Sequence, residues 1–386
     1  MKRAIIGGAA YGWHNIGDDG LLRGIFKDLN GIECGVITRK SEWLEKEYPH
    51  IKQFEIDNLY HKPNTGCWYG LRSNINDWKK SLFPDMTPYN WSDVLICGGG
   101  TIFSACPWHA YRLSMLENKM KKPTIIWGAG MCTETDLDKI NLIKKWCNAD
   151  NVLHVYVRDE MVEKRLLDIG VQPKKISVCY DPAYVLDIIP FDPAILNDKA
   201  NDMYYSNNPK MVLTLSGESD IRKKVNLDVF KTFIKKEISR GFEIFLIPIS
   251  YSDHNKDMEF ALELEKLYDK HITYVKTEFH PQQLIDFLTN IDISISSRLH
   301  MSIYSAIAGI PFISLLRNDK NSDLAKLFNL PCLSFDNLKS EILVESVNRL
   351  LSDTEIIKSN IVNQVSNYKD IHELKAKEMR TIISNL

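Results

Sequence analysis

Short apolar runs recur along the chain, and most end in glycine or serine before a stretch with helical periodicity. Those in the first half include "KRAIIGG", "DVLICGGG", "PTIIWGAG" and "LHVYVRD", and those in the second half include "KMVLTLSG", "FEIFLIPIS" and "IDISISS". Alternation of strand and helix signals is typical of βα units in a parallel sheet. The pattern therefore predicts an α/β protein with two doubly wound domains.

A polar segment separates the two halves of this pattern. Residues 191–210 ("FDPAILNDKANDMYYSNNPK") are rich in Pro, Asn and Asp, a composition that suits a linker. We predict an N-terminal domain over residues 1–190 and a C-terminal domain over residues 211–386, with C-terminal helices that pack back on the first domain. Residues 62–91 interrupt the βα rhythm and predict a long surface loop.

Composition and charge narrow the classes of function. The 386 residues carry 48 Lys+Arg against 50 Asp+Glu, so the chain lacks the basic field on which nucleic-acid binding depends. The eight cysteines are scattered without a zinc-ligand spacing, which predicts buried, reduced thiols. The N-terminus does not resemble a secretory signal, and no apolar run approaches the roughly 20 residues that span a bilayer. We expect a cytoplasmic protein, and docking at the inner face of the membrane stays open.

A glycine-rich turn near the N-terminus follows the first predicted strand. The segment "IIGGAAYGWHNIGDDGLL" leads into a predicted helix, whose N-terminus favours an anion. Neither a GxGxxG fingerprint nor a P-loop lysine is present, which removes the main support for nicotinamide or ATP binding. Asn15, Gly17 and Asp18 are candidate cleft residues, and helix capping is the alternative role for Asp18.

Three consecutive glycines mark a second candidate position, in "DVLICGGGTIFS". Ligands bind outside the carboxyl ends of the strands in open α/β sheets, so we expect Gly99, Gly100 and Thr101 to line the cleft. A tight turn imposed by chain geometry is the alternative. His109, in "CPWHAYR", is a further candidate for the same cleft, although a single histidine is commonly incidental.

Arg158 ends a third predicted strand, in "VYVRDE". Asp159 and Glu160 suit the start of the following helix, but an arginine has the wrong charge for that position. Its guanidinium therefore needs an anion, which is either a neighbouring carboxylate or a bound phosphate or carboxylate.

Arg298 and His300 lie at a strand-to-helix junction in "DISISSRLHMSIYSAIAGIPF". If the strand continues this far, alternation directs both side chains to one side and Leu299 into the core. The following helix ends before Gly309, so the junction lies near a helix N-terminus. The pattern predicts an anion site with a proton donor beside it.

These motifs, in this order, resemble the polysaccharide pyruvyl transferase family. The resemblance rests on "GWHNIGDDGLL", "DVLICGGGTIF", "IIWGAGM", "VYVRDEMVEKRLLDIGV", "DPAYVL" and "SSRLHMSIYSAIAGIPFISL". It implies two Rossmann-like domains facing across a cleft, as in the GT-B fold, with the acceptor on the first domain and the donor on the second. The implied reaction transfers the pyruvyl group of phosphoenolpyruvate to two hydroxyls of a saccharide as a cyclic ketal, in cell-surface polysaccharide biosynthesis.

The resemblance also implies roles for individual residues. Arg158 and Arg298 would bind the donor together with Leu299 and His300, and neither a cofactor nor a metal would be needed. His300 is a suitable acid for the methylene carbon of the donor, and Asp18 or His109 is a candidate base. The chain departs from the family pattern in the bulky Trp13 and His14, and in "SSRLH", where the family often has glycine before the arginine. These differences bear on the choice of acceptor, which is free or lipid-linked.

Two other functions stay open from the sequence. Arg298 beside a helix N-terminus would equally stabilise a departing diphosphate, so a GT-B glycosyltransferase that uses a nucleotide sugar is one alternative. A non-catalytic saccharide-binding or scaffolding protein is the other.

Overall fold

The computed structural model describes residues 1–9, 11–12, 14–38, 42–55, 87–105, 122–251, 257–266 and 270–386. The chain divides into two compact units. Unit 1 comprises Met1–Trp13, Leu21–Pro182 and His372–Leu386, and unit 2 comprises His14–Gly20 and Ala183–Ile371. Each unit contains a parallel sheet with helices, which confirms the predicted two-domain α/β fold.

The sheet of unit 1 has seven parallel strands among the described residues, in the order β3-β2-β1-β4-β5-β6-β7. The strands are β1 (Arg3–Gly7), β2 (Glu33–Thr38), β3 (Lys52–Glu55), β4 (Val94–Gly98), β5 (Thr124–Ala129), β6 (Val152–Val157) and β7 (Ile176–Val178). Successive residues of a strand point to opposite faces. Ile5, Leu95 and Ile126 pack in the core of one face. Their neighbours on the same strands pack on the other face: Ala4, Ile6, Val94, Ile96, Ile125 and Trp127. Burial on both faces explains why these strands are continuous apolar runs.

The helices that begin in the first half of the chain are α1 (Ile16–Asp28), α2 (Glu42–Glu47), α3 (Thr87–Trp91), α4 (Ile102–Ala105), α5 (Leu137–Cys147) and α6 (Glu160–Asp168). Short 3₁₀ helices cover Pro173–Lys175 and Pro182–Val185. Side-chain caps define two of the α-helix starts, because Asp136 accepts from Asp138 and Lys139 and Asp159 accepts from Val162. The first residues of α1, through Gly20, belong to unit 2.

The sheet of unit 2 has six parallel strands among the described residues, in the order β10-β9-β8-β11-β12-β13. They are β8 (Lys210–Thr214), β9 (Glu243–Leu246), β10 (Ile272–Tyr274), β11 (Ile293–Ser296), β12 (Phe312–Leu316) and β13 (Cys332–Ser334). The helices that follow the first half are α7 (Asp198–Tyr205), α8 (Ser219–Arg222), α9 (Leu227–Ser239), α10 (Asp257–Glu265), α11 (Pro281–Leu288), α12 (Leu299–Ile307), α13 (Asp319–Leu327), α14 (Ser340–Ser352) and α15 (Thr354–Ser384).

Residues 191–210, predicted as a linker, contain ordered secondary structure. A 3₁₀ helix covers Pro193–Ile195, and α7 follows it. Ala200, Met203 and Tyr204 of α7 are buried at i, i+3 and i+4, the spacing of a core-facing helix. Tyr204 stacks on Phe287 of α11 at 4.8 Å between ring centroids. The change of unit lies before this segment, between Pro182 and Ala183.

The last helix, α15, belongs to unit 2 through Ile371 and to unit 1 from His372 onward. In unit 1 its buried residues Ala376, Met379 and Ile383 join the core around β1 and β4. His372 is fully buried, with Nε2 at 2.8 Å from Oδ2 of Asp28 and Nδ1 at 2.6 Å from the carbonyl oxygen of Cys179. Apolar packing and a buried ion pair therefore both attach the chain's end to unit 1.

Other expectations from the sequence meet the structure only in part. Of the predicted loop 62–91, residues 62–86 lie outside the described residues, and α3 covers residues 87–91. Trp13, Cys67, Cys106 and His109 also lie outside the described residues. The described cysteines are free thiols, and Cys34, Cys97, Cys147 and Cys179 are buried. Among the described residues, no helix combines the length and apolarity that crossing a membrane requires.

Candidate active site

Each sheet reverses its strand order at one point, between β1 and β4 in unit 1 and between β8 and β11 in unit 2. Ligands of open α/β sheets bind outside the carboxyl ends of the strands at such a point. The three glycines follow β4, and Arg298 follows β11. Two of the motifs singled out in the sequence therefore lie where the topology favours a ligand.

In unit 1, the glycines after β4 adopt a turn that depends on their residue type. Gly99 and Gly100 have φ of +76° and +69°, in the left-handed region that favours glycine. The amide of Gly99 donates to the carbonyl oxygen of Trp127 at 2.8 Å, and the carbonyl oxygen of Gly100 accepts from the amide of Gly130 at 2.7 Å. Thr101 is half-buried directly before α4. The turn thus fixes the carboxyl end of β4 against that of β5.

Arg158 follows β6 in the same unit, and its side chain is only 5% exposed. The guanidinium lies against Gly130, where a Cβ atom would overlap it. Its Nε donates to Oδ2 of Asp159 at 3.2 Å, a long contact for a charged pair. The other oxygen of Asp159 accepts from the amide of Val162 at 2.8 Å and caps α6.

The Nη1 atom of Arg158 is buried and has no hydrogen-bond partner among the described residues. A buried polar group without a partner costs free energy, and a charged one costs more. Asp159 is a neighbouring carboxylate, yet only its Oδ2 accepts from Arg158, because its Oδ1 caps α6. Arg158 therefore retains the capacity to bind a further anion.

In unit 2, the helix begins two residues before the point that strand alternation through His300 requires. Arg298 is the extended N-cap of α12, with φ −97° and ψ 123°, and the helix begins at Leu299. His300 is the second helical residue, so the expected i, i+2 relation of a continuing strand does not apply. Leu299 is buried and Gly309, at φ +75°, follows the helix end, as expected.

The guanidinium of Arg298 contacts two carboxylates. It binds Asp257 through two parallel contacts, Nε to Oδ2 at 2.9 Å and Nη2 to Oδ1 at 2.6 Å. Its Nη1 donates to Oε1 of Glu218 at 2.6 Å. The second oxygen of Glu218 contacts Nη2 of Arg317. Arg298 thus belongs to an ion-pair network of two arginines and two carboxylates.

Asp257 is the fixed member of this network, with a side chain that is 0% exposed. Besides Arg298, its Oδ1 accepts from the amide of Gly217 at 2.8 Å and its Oδ2 from the amide of Ser250 at 3.1 Å. These four hydrogen bonds join segments that follow β8, β9 and β11. Burial alone would lower the pKa of Arg298, but Asp257 and then Glu218 outweigh burial and raise this pKa.

His300 lies against the N-terminal segment that the sequence also singled out. A Cβ atom on Gly17 would overlap Nδ1 of His300, so only glycine allows this approach. The Oδ1 atom of Asn15 accepts from the amide of Gly17 at 3.0 Å. Tyr304, one turn after His300 on α12, donates its hydroxyl to the carbonyl oxygen of Ile16 at 2.7 Å.

The structure therefore brings Asn15, Gly17 and His300 together inside unit 2. Asp18 occupies the first turn of α1, directly after Gly17, and is half-buried. No group of three or more His, Cys, Asp or Glu side chains among the described residues is arranged to hold a metal ion.

A family model named polysaccharide pyruvyl transferase matches residues 15–319. The chain belongs to the polysaccharide pyruvyl transferase family. The match spans the sequence motifs from Asn15 to Arg298 and His300, which confirms the resemblance. A search of curated protein sequences finds no match for the chain.

Solved structures with a similar fold act as glycosyltransferases or bind UDP, according to their descriptions. A glycosyltransferase from Rickettsia africae ESF-5 is 15% identical, with TM-score 0.60, and the match covers 99% of this chain and 98% of that one. Anabaena Alr3699/HepE in complex with UDP and glucose is 10% identical, with TM-score 0.57 and full coverage of both chains. The S. aureus MnaA–UDP structure is 12% identical, with TM-score 0.63, over 94% of this chain and 91% of that one. This likeness shows the GT-B-type fold alone.

Sequence reasoning missed three members of the network in this pyruvyl transferase family member: Glu218, Asp257 and Arg317. Glu218 and Arg317 each follow an apolar strand within a few residues, at the carboxyl ends of β8 and β12. That position is the signal that could have indicated Glu218 and Arg317, as it indicated the glycines after β4, Arg158 and Arg298. Asp257 is the first residue of α10 and carries no comparable signal.

Proposed function

We propose that this protein transfers the pyruvyl group of phosphoenolpyruvate to two hydroxyls of a saccharide, forming a cyclic ketal. Membership of the family supports the reaction class. The observation that carries the proposal is the buried Nη1 of Arg158, which has no partner among the described residues. A guanidinium in that state is suited to a phosphate or carboxylate, and phosphoenolpyruvate has one of each.

Arg298 keeps the donor-binding role that the family resemblance implies. Three of its five N–H groups are directed at Asp257 and Glu218, which leaves two for a ligand. In this proposal the arginines offset the charge of the donor, so no metal or cofactor is required. Asn15, Gly17, Gly99, Gly100 and Thr101 are proposed to contact donor or acceptor.

The proposed chemistry begins with His300 as the acid. Its proton goes to the methylene carbon of the donor, and the adjacent carbon becomes electrophilic. The first acceptor hydroxyl forms a C–O bond to that carbon and gives its proton to a base, for which Asp18 is the candidate. The second hydroxyl forms the second C–O bond while the bond to phosphate breaks, and phosphate leaves with the electron pair. The second hydroxyl's proton returns to His300.

The setting of the reaction follows from the same proposal. We place the protein in the cytoplasm, where it would act on a free or lipid-linked saccharide during biosynthesis of a cell-surface polysaccharide. The alternative, a glycosyltransferase that uses a nucleotide sugar, is supported by the fold of the structural neighbours.

The deciding experiment incubates the protein with candidate oligosaccharides and either phosphoenolpyruvate or a panel of UDP-sugars. We expect phosphate release, together with an oligosaccharide mass increase of one pyruvate less one water, with phosphoenolpyruvate only. His300→Gln is the matched control, and it should bind phosphoenolpyruvate without turnover. UDP release from a UDP-sugar, with no phosphate from phosphoenolpyruvate, would replace this proposal by the glycosyltransferase.

A further inference from the structure

The carboxylate of Glu218 lies between two arginines in unit 2. One of its oxygens accepts from Nη1 of Arg298, and the other contacts Nη2 of Arg317. We propose that Arg298 and Arg317 together form an oxyanion site, and that Glu218 occupies this site until a bound anion displaces it. Arg317 then becomes a ligand-binding residue, and Glu218 becomes a built-in competitor. Only the identity of the anion, a phosphate or carboxylate of phosphoenolpyruvate, rests on the proposed function.

The position in the fold supports a binding role. The strands β9, β8, β11 and β12 are consecutive neighbours in the sheet, and the segments after their carboxyl ends supply Ser250, Glu218, Arg298 and Arg317. The order reverses between β8 and β11, so Glu218 and Arg298 flank the point at which open α/β sheets bind ligands. Glu218 and Arg298 therefore lie where a ligand is expected.

The two carboxylates that contact Arg298 differ in how firmly they are held. Asp257 is fully buried and accepts four hydrogen bonds from three segments of the chain. Glu218 has a side chain that is 25% exposed, and it precedes the four-residue helix α8 without capping it. Asp257 therefore serves to orient Arg298, whereas Glu218 can rotate away with the loss of two contacts.

Arg317 has unused capacity for an anion. Its side chain is 15% exposed, and its Nε atom is buried without a hydrogen-bond partner among the described residues. A guanidinium favours planar, two-point contact with an oxyanion, which its present contact with Glu218 through Nη2 does not exploit. A phosphate offers three or more oxygens, against the two of Glu218, and can engage both arginines more completely.

The charge balance explains why Glu218 would weaken binding. Arg298 and Arg317 carry two positive charges, which Asp257 and Glu218 together neutralise. Burial alone would raise the pKa of Glu218, but Arg298 and Arg317 outweigh burial and hold this pKa below its usual value. Glu218 is therefore ionised near neutral pH, and an incoming anion must compete with it. Without the charge of Glu218, the two arginines and Asp257 together carry a net positive charge.

The test compares the affinity of the full chain for inorganic phosphate and for phosphoenolpyruvate, by calorimetry, in wild type and Glu218→Gln. Glutamine keeps the shape and removes the charge, so we expect the phosphate Kd to fall about tenfold. Arg317→Gln should raise the same Kd by about tenfold. An unchanged or higher Kd in a folded Glu218→Gln protein overturns the proposal.

Glu237→Gln is the matched control. Glu237 also pairs with an arginine of unit 2, Arg240, but it lies at the end of α9, before β9 begins and so at the amino edge of the sheet. Its substitution should leave the phosphate Kd unchanged. If Glu218→Gln does not fold, Arg317→Lys keeps the charge without the fork, and phosphate binding that is no weaker than wild type would then contradict the proposal.

The two phosphate-bearing ligands separate this inference from the proposed function. Tighter phosphate binding in Glu218→Gln, without any turnover of phosphoenolpyruvate, would retain the oxyanion site and reject phosphoenolpyruvate as the donor. If the protein turns over phosphoenolpyruvate but substitution of Glu218 or Arg317 leaves the phosphate Kd unchanged, the proposed function stands and the oxyanion site is rejected.

Discussion

Arg158 in unit 1 and Arg298 in unit 2 share their place in the fold and differ in their electrostatic surroundings. Each follows a strand of a parallel sheet, and their side chains are 5% and 7% exposed. Arg298 makes three contacts of 2.6 to 2.9 Å with two carboxylates. Arg158 makes one contact of 3.2 Å with a carboxylate that also caps a helix.

Burial and position in the fold therefore do not by themselves determine whether a buried arginine stabilises the fold or binds a ligand. Arg298 is compensated within the protein, so it contributes to folding as well as to any binding. Arg158 is under-compensated, so its charge is a cost to folding that a bound anion would offset. Substitution of each residue by methionine, which has similar length and no charge, tests this distinction.

The largest effect is expected for Arg298→Met. The change leaves Asp257 fully buried without its counter-ion, and breaking a buried ion pair in this way costs about 3–5 kcal/mol. We expect the free energy of unfolding, measured by urea denaturation, to fall by that amount. Arg3→Met, at an exposed pair with Glu33, should change it by less than about 1 kcal/mol. A loss from Arg298→Met as small as that of Arg3→Met would show that the network is not structural.

A smaller effect, of a different kind, is expected for Arg158→Met. Loss of one charged hydrogen-bond donor should weaken phosphoenolpyruvate binding by about 2 kcal/mol, or roughly thirtyfold in Kd. The free energy of unfolding should stay level or rise, because an under-compensated buried charge is removed. Calorimetric titration and urea denaturation of the same preparations measure both quantities. Unchanged affinity combined with a clear loss of stability would assign Arg158 to the fold instead of the ligand.

The sequence was sufficient for the features that depend on local pattern. Short, continuous apolar runs predict the strands, and the Arg298 junction is correctly placed at a helix start because Gly309 marks the other end. It was insufficient where distant segments meet. Asp257 and Glu218 lie 41 and 80 residues from Arg298, so no local pattern indicates that their carboxylates contact this arginine.

Two local interpretations failed for identifiable physical reasons. The alternation in "DISISSRLH" predicts an extended chain through His300, but the chain becomes helical after Arg298, because Leu299, Ile303 and Ala306 begin the buried face of α12. The polar composition of residues 191–210 concealed the i, i+3, i+4 spacing of Ala200, Met203 and Tyr204, which forms a buried helix face. The first interpretation continues a period of two into residues that are helical, and the second follows the composition and overlooks the helical period of the apolar positions.

His372 is a third buried cation, and unlike the two arginines its ring can lose its proton as the pH rises. Its two ring nitrogens face Oδ2 of Asp28 and the carbonyl oxygen of Cys179, both acceptors, so the ring must donate from both nitrogens and is protonated. The indole of Trp127 also donates to Oδ2 of Asp28. Burial alone would lower the pKa of His372, but Asp28 outweighs burial and this pKa lies well above its usual value.

The smallest effect expected is therefore a loss of stability at alkaline pH. A histidine whose pKa is raised by folding stabilises fully below its unfolded pKa, about 6.5, and this stabilisation is lost as the pH rises through the folded pKa. We expect the free energy of unfolding to decline as the pH rises from 6.5 to 9, because the unfolded histidine loses its proton in this range while the folded one keeps it. His372→Gln should abolish this decline and lower stability at pH 6.5. His154→Gln is the control, because burial lowers the pKa of His154 and its partner is the neutral Ser177. If the decline persists in His372→Gln, the pair with Asp28 is not its source.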